Sequence, residues 1–182
     1  MPNKAIVISA PSGAGKTTLI RALLTDHPEL EHVVTHTTRE IRPGEVSGKD
    51  YHFIDSSTFK KYVAQNYFIE WAQVHGEYYG TSNIAIQAIL NSGKQPILNI
   101  DWQGAKRARE LYGKNMISIF ILPPSLQELE CRLKTRGDSL ENIQKRLAIA
   151  ETEISHAKDF DHVIINDDFN HTLLELKALC LN

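Results

Sequence analysis

The stretch that decides the reading is Ala5-Ile-Val-Ile-Ser-Ala-Pro-Ser-Gly-Ala-Gly-Lys-Thr17. Ala5 to Ser9 is a short apolar, β-branched run, Pro11, Ser12, Gly13 and Gly15 are turn formers, and Leu19, Ile20, Leu23 and Leu24 repeat with helical period. The order is strand, loop, helix, and the loop sits where unpaired N–H groups and the positive end of the helix dipole favour an anion. Glycines let a backbone wrap phosphate oxygens without Cβ clashes. Lys16 is placed to reach β- and γ-phosphates, and the Thr17 hydroxyl to ligate Mg2+. Ala10, Pro11, Ser12, Gly13, Ala14, Gly15, Lys16 and Thr17 are therefore the candidate triphosphate loop. The pattern G-x-x-x-x-G-K-[ST] departs at its first position, where Ala10 stands, so Ala10 is expected only to avoid positive φ.

Outward from that loop, the apolar runs Pro96 to Ile100 and Met116 to Leu122 each precede a helical pattern, beginning near Gly104 and at Ser125. Val163 to Ile165 precedes another from Phe169 to Leu179. Strands alternating with helices predict an α/β core with a parallel sheet covered on both faces, a three-layer phosphate-loop architecture. Residues 35–54 are polar and turn-rich, with Pro43-Gly44 and Ser47-Gly48, while residues 67–82 are aromatic-rich and broken by Gly76 and Gly80. That region reads as a small mixed β insertion with helices from Ser57 to about Ala64 and from Asn83 to Asn91. Ser125-Leu-Gln-Glu128 is a capping-box signature for a helix to about Arg136; Gly137-Asp138-Ser139 turns the chain into a longer helix reaching about His156.

The chain has 182 residues, 42% of them hydrophobic and 23% charged, enough for one compact unit carrying insertions and too apolar for general disorder. Lys plus Arg number 20 against 22 Asp plus Glu, a net charge of −2, which excludes a general polyanion binder and gives no nucleic-acid partner. Any phosphate must be held locally. Cys131 and Cys180 lie far apart and form neither a disulfide framework nor a C-x-x-C metal pair, which suits a reducing cytoplasm. The eight histidines show no zinc spacing, and His32 and His36, on a strand and a loop, are expected at the surface or in packing. The run from Ile117 to Leu122 falls far short of the roughly 20 residues of a membrane helix, and the N-terminus is too short for a signal-peptide core. No membrane role is expected.

The loop alone leaves ATPase, GTPase and kinase open, although no Asn-Lys-x-Asp base reader of GTPases occurs. Three positions bear on the acceptor. Arg39 and Arg42 flank the Pro43-Gly44 turn and can clamp one phosphate with two guanidinium forks, or simply be exposed loop arginines. Glu70 lies inside the apolar strand Tyr67-Phe-Ile-Glu-Trp-Ala72, where a buried carboxylate needs donors. The Watson–Crick edge of guanine offers N1–H and N2–H2, whereas adenine presents an acceptor at N1; the alternative is an edge-strand Glu facing solvent by alternation. Asp101 ends the run Pro96 to Ile100 at the carboxyl edge, where it can serve the base, organise Mg2+ or cap the next helix.

Taken together, these segments resemble guanylate kinase, the nucleoside monophosphate kinase that moves a phosphoryl group from ATP to GMP. The resemblance covers nearly the whole chain. It runs from Ser9-Ala-Pro-Ser-Gly-Ala-Gly-Lys-Thr17 through Thr37-Thr-Arg39, Arg42-Pro-Gly-Glu-Val46, Gly48-Lys-Asp-Tyr51-His-Phe53 and Phe68-Ile-Glu-Trp-Ala72. It continues through Tyr78-Tyr-Gly80, Ile100-Asp-Trp-Gln-Gly-Ala105, Leu122-Pro-Pro-Ser125 and Ile165-Asn-Asp-Asp168. It implies a core of residues 1–35, 94–124 and 156–182, a GMP-binding subdomain at 36–93 and a mobile helical lid at 125–155. It also implies that Arg39, Arg42, Tyr51 and Tyr79 hold the GMP phosphate and that Glu70, Asp101 and the Thr35 hydroxyl read guanine, with Thr81 a further GMP contact. Asn166 matches a residue near the adenine of ATP, and Arg132, Arg136 and Arg146 match lid and hinge arginines. The implied cofactor is Mg2+, with ATP and GMP as the partners.

On helical spacing alone, Arg132 and Arg136 share a face, suited to neutralising charge on a transferring phosphoryl group or to pairing with Glu128 on a solvated surface. Thr35 stands where Ser is usual, Asn99 replaces a common Asp, and the segment from Arg136 to Arg146 is a residue shorter than the pattern. Two rival readings are a non-catalytic guanylate-kinase-like interaction module and a phosphate-loop kinase of a sugar phosphate. Trp71 and Trp102 are expected to pack rather than stack on a base.

Overall fold

The computed structural model describes residues 4–74, 76–135 and 137–181. In chain order the elements are β1 (Ala5–Ser9), α1 (Lys16–Asp26), β2 (Leu30–His32), β3 (Thr35–Thr37), β4 (Tyr51–Phe53), α2 (Ser56–Ala64), β5 (Phe68–Val74) and β6 (Glu77–Ser82). There follow α3 (Asn83–Asn91), β7 (Gln95–Asn99), α4 (Trp102–Tyr112), β8 (Met116–Leu122), α5 (Leu126–Thr135), α6 (Leu140–Ser155), β9 (His162–Ile165) and α7 (Phe169–Leu181). The strands make a five-stranded parallel sheet in the order β2-β7-β1-β8-β9 and a four-stranded mixed sheet in the order β4-β3-β6-β5. The α/β class expected from alternation is borne out.

Local chemistry sets the helix starts. Asp55, Ser82, Asp101, Ser125 and Ser139 each accept a hydrogen bond from the backbone N–H three residues on, which satisfies one of the donors a helix leaves unpaired at its first turn. The Asp101 cap begins α4 at Trp102, ahead of the expected start near Gly104. The strand expected at His32 is β2, which joins the parallel sheet through Leu30↔Gln95 and His32↔Ile97. His36 lies on β3, not in a loop. The helix expected to reach about Arg136 is described as far as Thr135, and position 136 lies outside the described residues.

By its contacts the chain divides into two units, one built from Glu29–Met116 with Ala5, the other from Ile6–Pro28 and Ile117 onward. In the first, β3 pairs parallel with β4 and antiparallel with β6, and β6 pairs antiparallel with β5. Phe59 of α2, fully buried, stacks between Phe68 at 4.7 Å and Tyr78 at 5.3 Å, so the mixed sheet is sealed by aromatic packing. In the second unit, β8 and β9 run parallel, α1 packs on α7, and α5 and α6 close over a small core of Leu129, Leu133, Ile143 and Ala150.

Candidate functional site

The residues that the sequence reading assigns to the acceptor all belong to the first unit. Glu70 sits on β5, an edge strand, where simple alternation would allow a solvent-facing side chain; it is 3% exposed. The reason is a bulge: Phe68 pairs with Ser82 but Glu70 with Thr81, so two residues on β5 oppose one step on β6 and the alternation slips. Glu70 and Asp101 converge at the start of α4. A Cβ on Gly104 would stand 2.5 Å from Glu70 Oε2 and 3.3 Å from Asp101 Oδ1. Asp101 also caps α4, with Oδ1 accepting the Gly104 N–H at 2.8 Å, so the capping role raised from sequence is real.

Glu70 Oε1 and the Thr81 hydroxyl are buried without a well-formed hydrogen bond among the described residues. Burial first, and the charge of Asp101 in addition, raise the Glu70 carboxyl to about 7; nearby Thr81 and Arg107 oppose that shift. A buried acceptor left open in an apolar sheet is costly unless a ligand supplies the donor. Thr35 is likewise buried, on β3 opposite Tyr51.

In the same unit, Arg39 lies 5.4 Å from the Tyr51 ring centre and 5.6 Å from that of Phe53, and the Tyr51 and Tyr79 rings are 6.0 Å apart. Arg39, Tyr51 and Tyr79 thus form one group. The Arg39 guanidinium is held by Glu45, with Nη2 donating to both carboxylate oxygens at 2.7 and 3.0 Å, and Glu45 Oε2 also accepts the Arg42 N–H at 2.9 Å. Arg42 itself is exposed on the turn.

The residues that the sequence reading assigns to the donor belong to the second unit. Gly13 and Gly15 adopt φ of 99° and 97°, a left-handed backbone that favours glycine, and Gly15 caps α1 with no side-chain hydrogen bond. The positive end of the α1 dipole thus points at the loop. Ala10 avoids positive φ, as expected. Ser12 Oγ accepts from Arg146 Nη1 at 2.9 Å, and Arg146 Nη2 lies 3.6 Å from Asp138. Arg132 Nε donates to Glu128 at 2.9 Å, while its Nη2 donates to the Asn166 carbonyl at 3.2 Å. Arg132 and Arg146 are therefore both gathered around the loop or its neighbours. Lys16 is part-buried and Thr17 exposed at the first turn of α1. Arg136 lies outside the described residues.

The family model described as Guanylate kinase matches residues 2–181. The chain belongs to the guanylate kinase family. It is 49% identical over 180 residues to "Guanylate kinase" of Alkalilimnicola ehrlichii, covering 98% of this chain and 88% of that one. It is 50% identical over 175 residues to "Guanylate kinase" of Shewanella oneidensis, covering 95% and 84%. The crystal structure of guanylate kinase from Anaplasma phagocytophilum superposes with a TM-score of 0.82 at 33% identity, covering 98% of this chain and 84% of that chain. The SH3-kinase fragment of tight junction protein 3 shares the fold alone, with a TM-score of 0.56 at 14% identity over 98% of this chain and 56% of that one.

Sequence reasoning about this guanylate kinase family member missed Glu45, although Arg42-Pro-Gly-Glu45 was part of the resemblance. An acid three residues beyond Arg42, across a Pro-Gly turn, was the available signal. It also missed Arg107, whose Nη1 donates to the Trp71 carbonyl at 2.5 Å and whose guanidinium lies 5.2 Å from the Trp71 ring centre. That contact joins α4 to β5 and has no local sequence signature.

Proposed function

We propose that this chain, as a guanylate kinase family enzyme, transfers the γ-phosphoryl group of ATP to GMP, giving GDP and ADP, by in-line displacement. The observation that carries the acceptor assignment is the buried Glu70 carboxylate with an open oxygen, beside Asp101 and the Thr81 hydroxyl. A carboxylate only accepts, and the guanine edge offers two adjacent donors; adenine would set an acceptor against it. Arg39, with Tyr51 and Tyr79, would hold the GMP phosphate, with Arg42 joining from the turn and Thr35 completing the base contacts. We read residues 36–93 as the GMP-binding subdomain and residues 125–155 as the lid.

On the donor side, the glycine-rich loop and the α1 N-terminus would bind the triphosphate, and Lys16 would stabilise its β- and γ-oxygens. Arg132, Arg136 and Arg146 would neutralise the charge that spreads over the migrating group, the main electrostatic task in phosphoryl transfer. No protein nucleophile takes part. The exposed Thr17 hydroxyl is a fitting hard-oxygen donor for Mg2+. No cluster of three His, Cys, Asp or Glu occurs among the described residues, so the remaining ligands would be phosphate oxygens and water. When bound, the ion would neutralise negative charge on the donor phosphates. Among the described residues no helix is long and apolar enough to cross a membrane. Cys131 and Cys180 are free thiols, which fits a reducing compartment.

Coupled detection of ADP with GMP, AMP, UMP and dTMP as acceptors tests this reading. Turnover is expected with GMP and near background with the others; preference for AMP would overturn the acceptor assignment.

A further inference from the structure

Asn166, directly after β9, is 6% exposed and held on three sides. Its N–H donates to the Leu122 carbonyl at 2.8 Å, and its own carbonyl accepts from Arg132 Nη2 at 3.2 Å. Its side-chain Nδ2 donates to the Ala14 carbonyl of the loop at 2.7 Å. The same amide group fills the space that a Cβ on Gly15 would need. Ala14 and Gly15 are the two residues joined by the peptide unit immediately before α1.

In a trans peptide the C=O and the N–H of the next residue point in opposite directions across one rigid plane. A donor that captures the Ala14 carbonyl therefore turns the Gly15 N–H away from Asn166. An anion-binding loop works only if its N–H groups face the ligand and its carbonyls do not, since a carbonyl turned inward sets negative charge against phosphate. The plane next to Gly15 is the one most in need of such a restraint, because glycine has the widest choice of backbone conformations. Asn166 supplies it from a buried anchor.

We propose that Asn166 is a positioning residue of the phosphate loop. By pinning the Ala14 carbonyl it aims the Gly15 N–H at the polyphosphate chain. It thus supports donor binding whatever base the donor carries. The inference rests on the reading of residues 10–17 as the donor triphosphate site. It makes Gly15 obligatory for a second reason besides its φ of 97°, since any side chain there would displace the amide that restrains the loop.

The test is calorimetric titration of the wild type, Asn166→Ala and Asn166→Asp with two probes, MgATP and Mg-tripolyphosphate, the second having no base. Asn166→Asp keeps the shape and the packing but sets an oxygen against the Ala14 oxygen, so it reports even if Asn166→Ala does not fold; thermal unfolding verifies both. The expected result is a loss of about tenfold in affinity for both probes in both variants, the change that follows from one lost buried hydrogen bond. A loss with MgATP and none with tripolyphosphate would show Asn166 reading the adenine and overturn the proposal, as would unchanged binding of both. Lys16→Ala separates the underlying reading: if it too leaves tripolyphosphate binding intact, the loop assignment itself fails.

Discussion

Gly104 on α4 and Glu70 on β5 are in direct apposition: a Cβ at position 104 would stand 2.5 Å from Glu70 Oε2 and 3.1 Å from its carboxyl carbon. Gly104 is buried in the first turn of a helix, where its φ is ordinary and alanine would favour the helix by about 1 kcal/mol. Glycine is kept there by the carboxylate. Gly104→Ala is therefore expected to leave thermal stability the same or higher while weakening GMP binding by about tenfold, because the acid must leave its place. Calorimetry with GMP alone reads this, and an unaltered affinity would separate Glu70 from the base.

Burial holds the Glu70 carboxyl near 7 in the absence of ligand, and only the ionised form can accept both guanine donors. GMP affinity is expected to rise from about pH 6 to about pH 8 and then level, with Glu70→Gln weak and flat over that range. The same shift has the opposite sign for stability. A carboxyl whose folded value exceeds the ordinary 4.5 contributes stability below that pH, and the contribution is lost as pH rises through about 7. GMP should restore what is lost, so thermal stabilisation by GMP is predicted to be larger at the alkaline end.

His36 behaves in the reverse sense. It is 8% exposed, its Nδ1 has no hydrogen-bond partner among the described residues, and its ring lies 4.6 Å from that of His52 and 5.6 Å from that of Tyr67. Burial first and the second imidazole next lower it to about 4, against a weaker opposing pull from the Gly80 backbone. A histidine depressed below the ordinary 6.5 destabilises the fold as pH falls from that value through about 4. His36→Phe is expected to narrow the gap in melting temperature between about pH 7 and about pH 5, and an unchanged gap would assign acid sensitivity elsewhere.

Glu45 holds Arg39 through two hydrogen bonds and ties it to the Arg42 backbone. Glu45→Ala is predicted to raise the KM for GMP by about tenfold through loss of a preorganised guanidinium, with binding of guanosine, which lacks the phosphate, left unchanged. Equal losses for nucleotide and nucleoside would mean that Glu45 supports the sheet and not the phosphate grip.

Much of this was legible along the chain because its signals are local. The phosphate loop needs glycine at positive φ next to a helix start, and Gly13, Gly15 and Lys16 announce it within a few residues. The caps of α3, α5 and α6 are short-range hydrogen bonds between a side chain and a backbone three positions on, so their helices began where the residues said they would. A strand at His32 was legible, but its place beside β7 was not, since pairing with a distant strand leaves no local period.

What the amino-acid order determined by itself was therefore the α/β pattern, the anion loop and the identity of the acids and arginines worth watching. Whether Glu70 is buried or faces solvent was decided by a bulge in its pairing with β6, which alternation along one strand cannot contain. Whether Asn166 meets a base or a backbone carbonyl was decided by packing across 152 positions of chain. Both turn on which buried polar atom finds a partner, and a partner distant in sequence is supplied only when the chain has closed on itself.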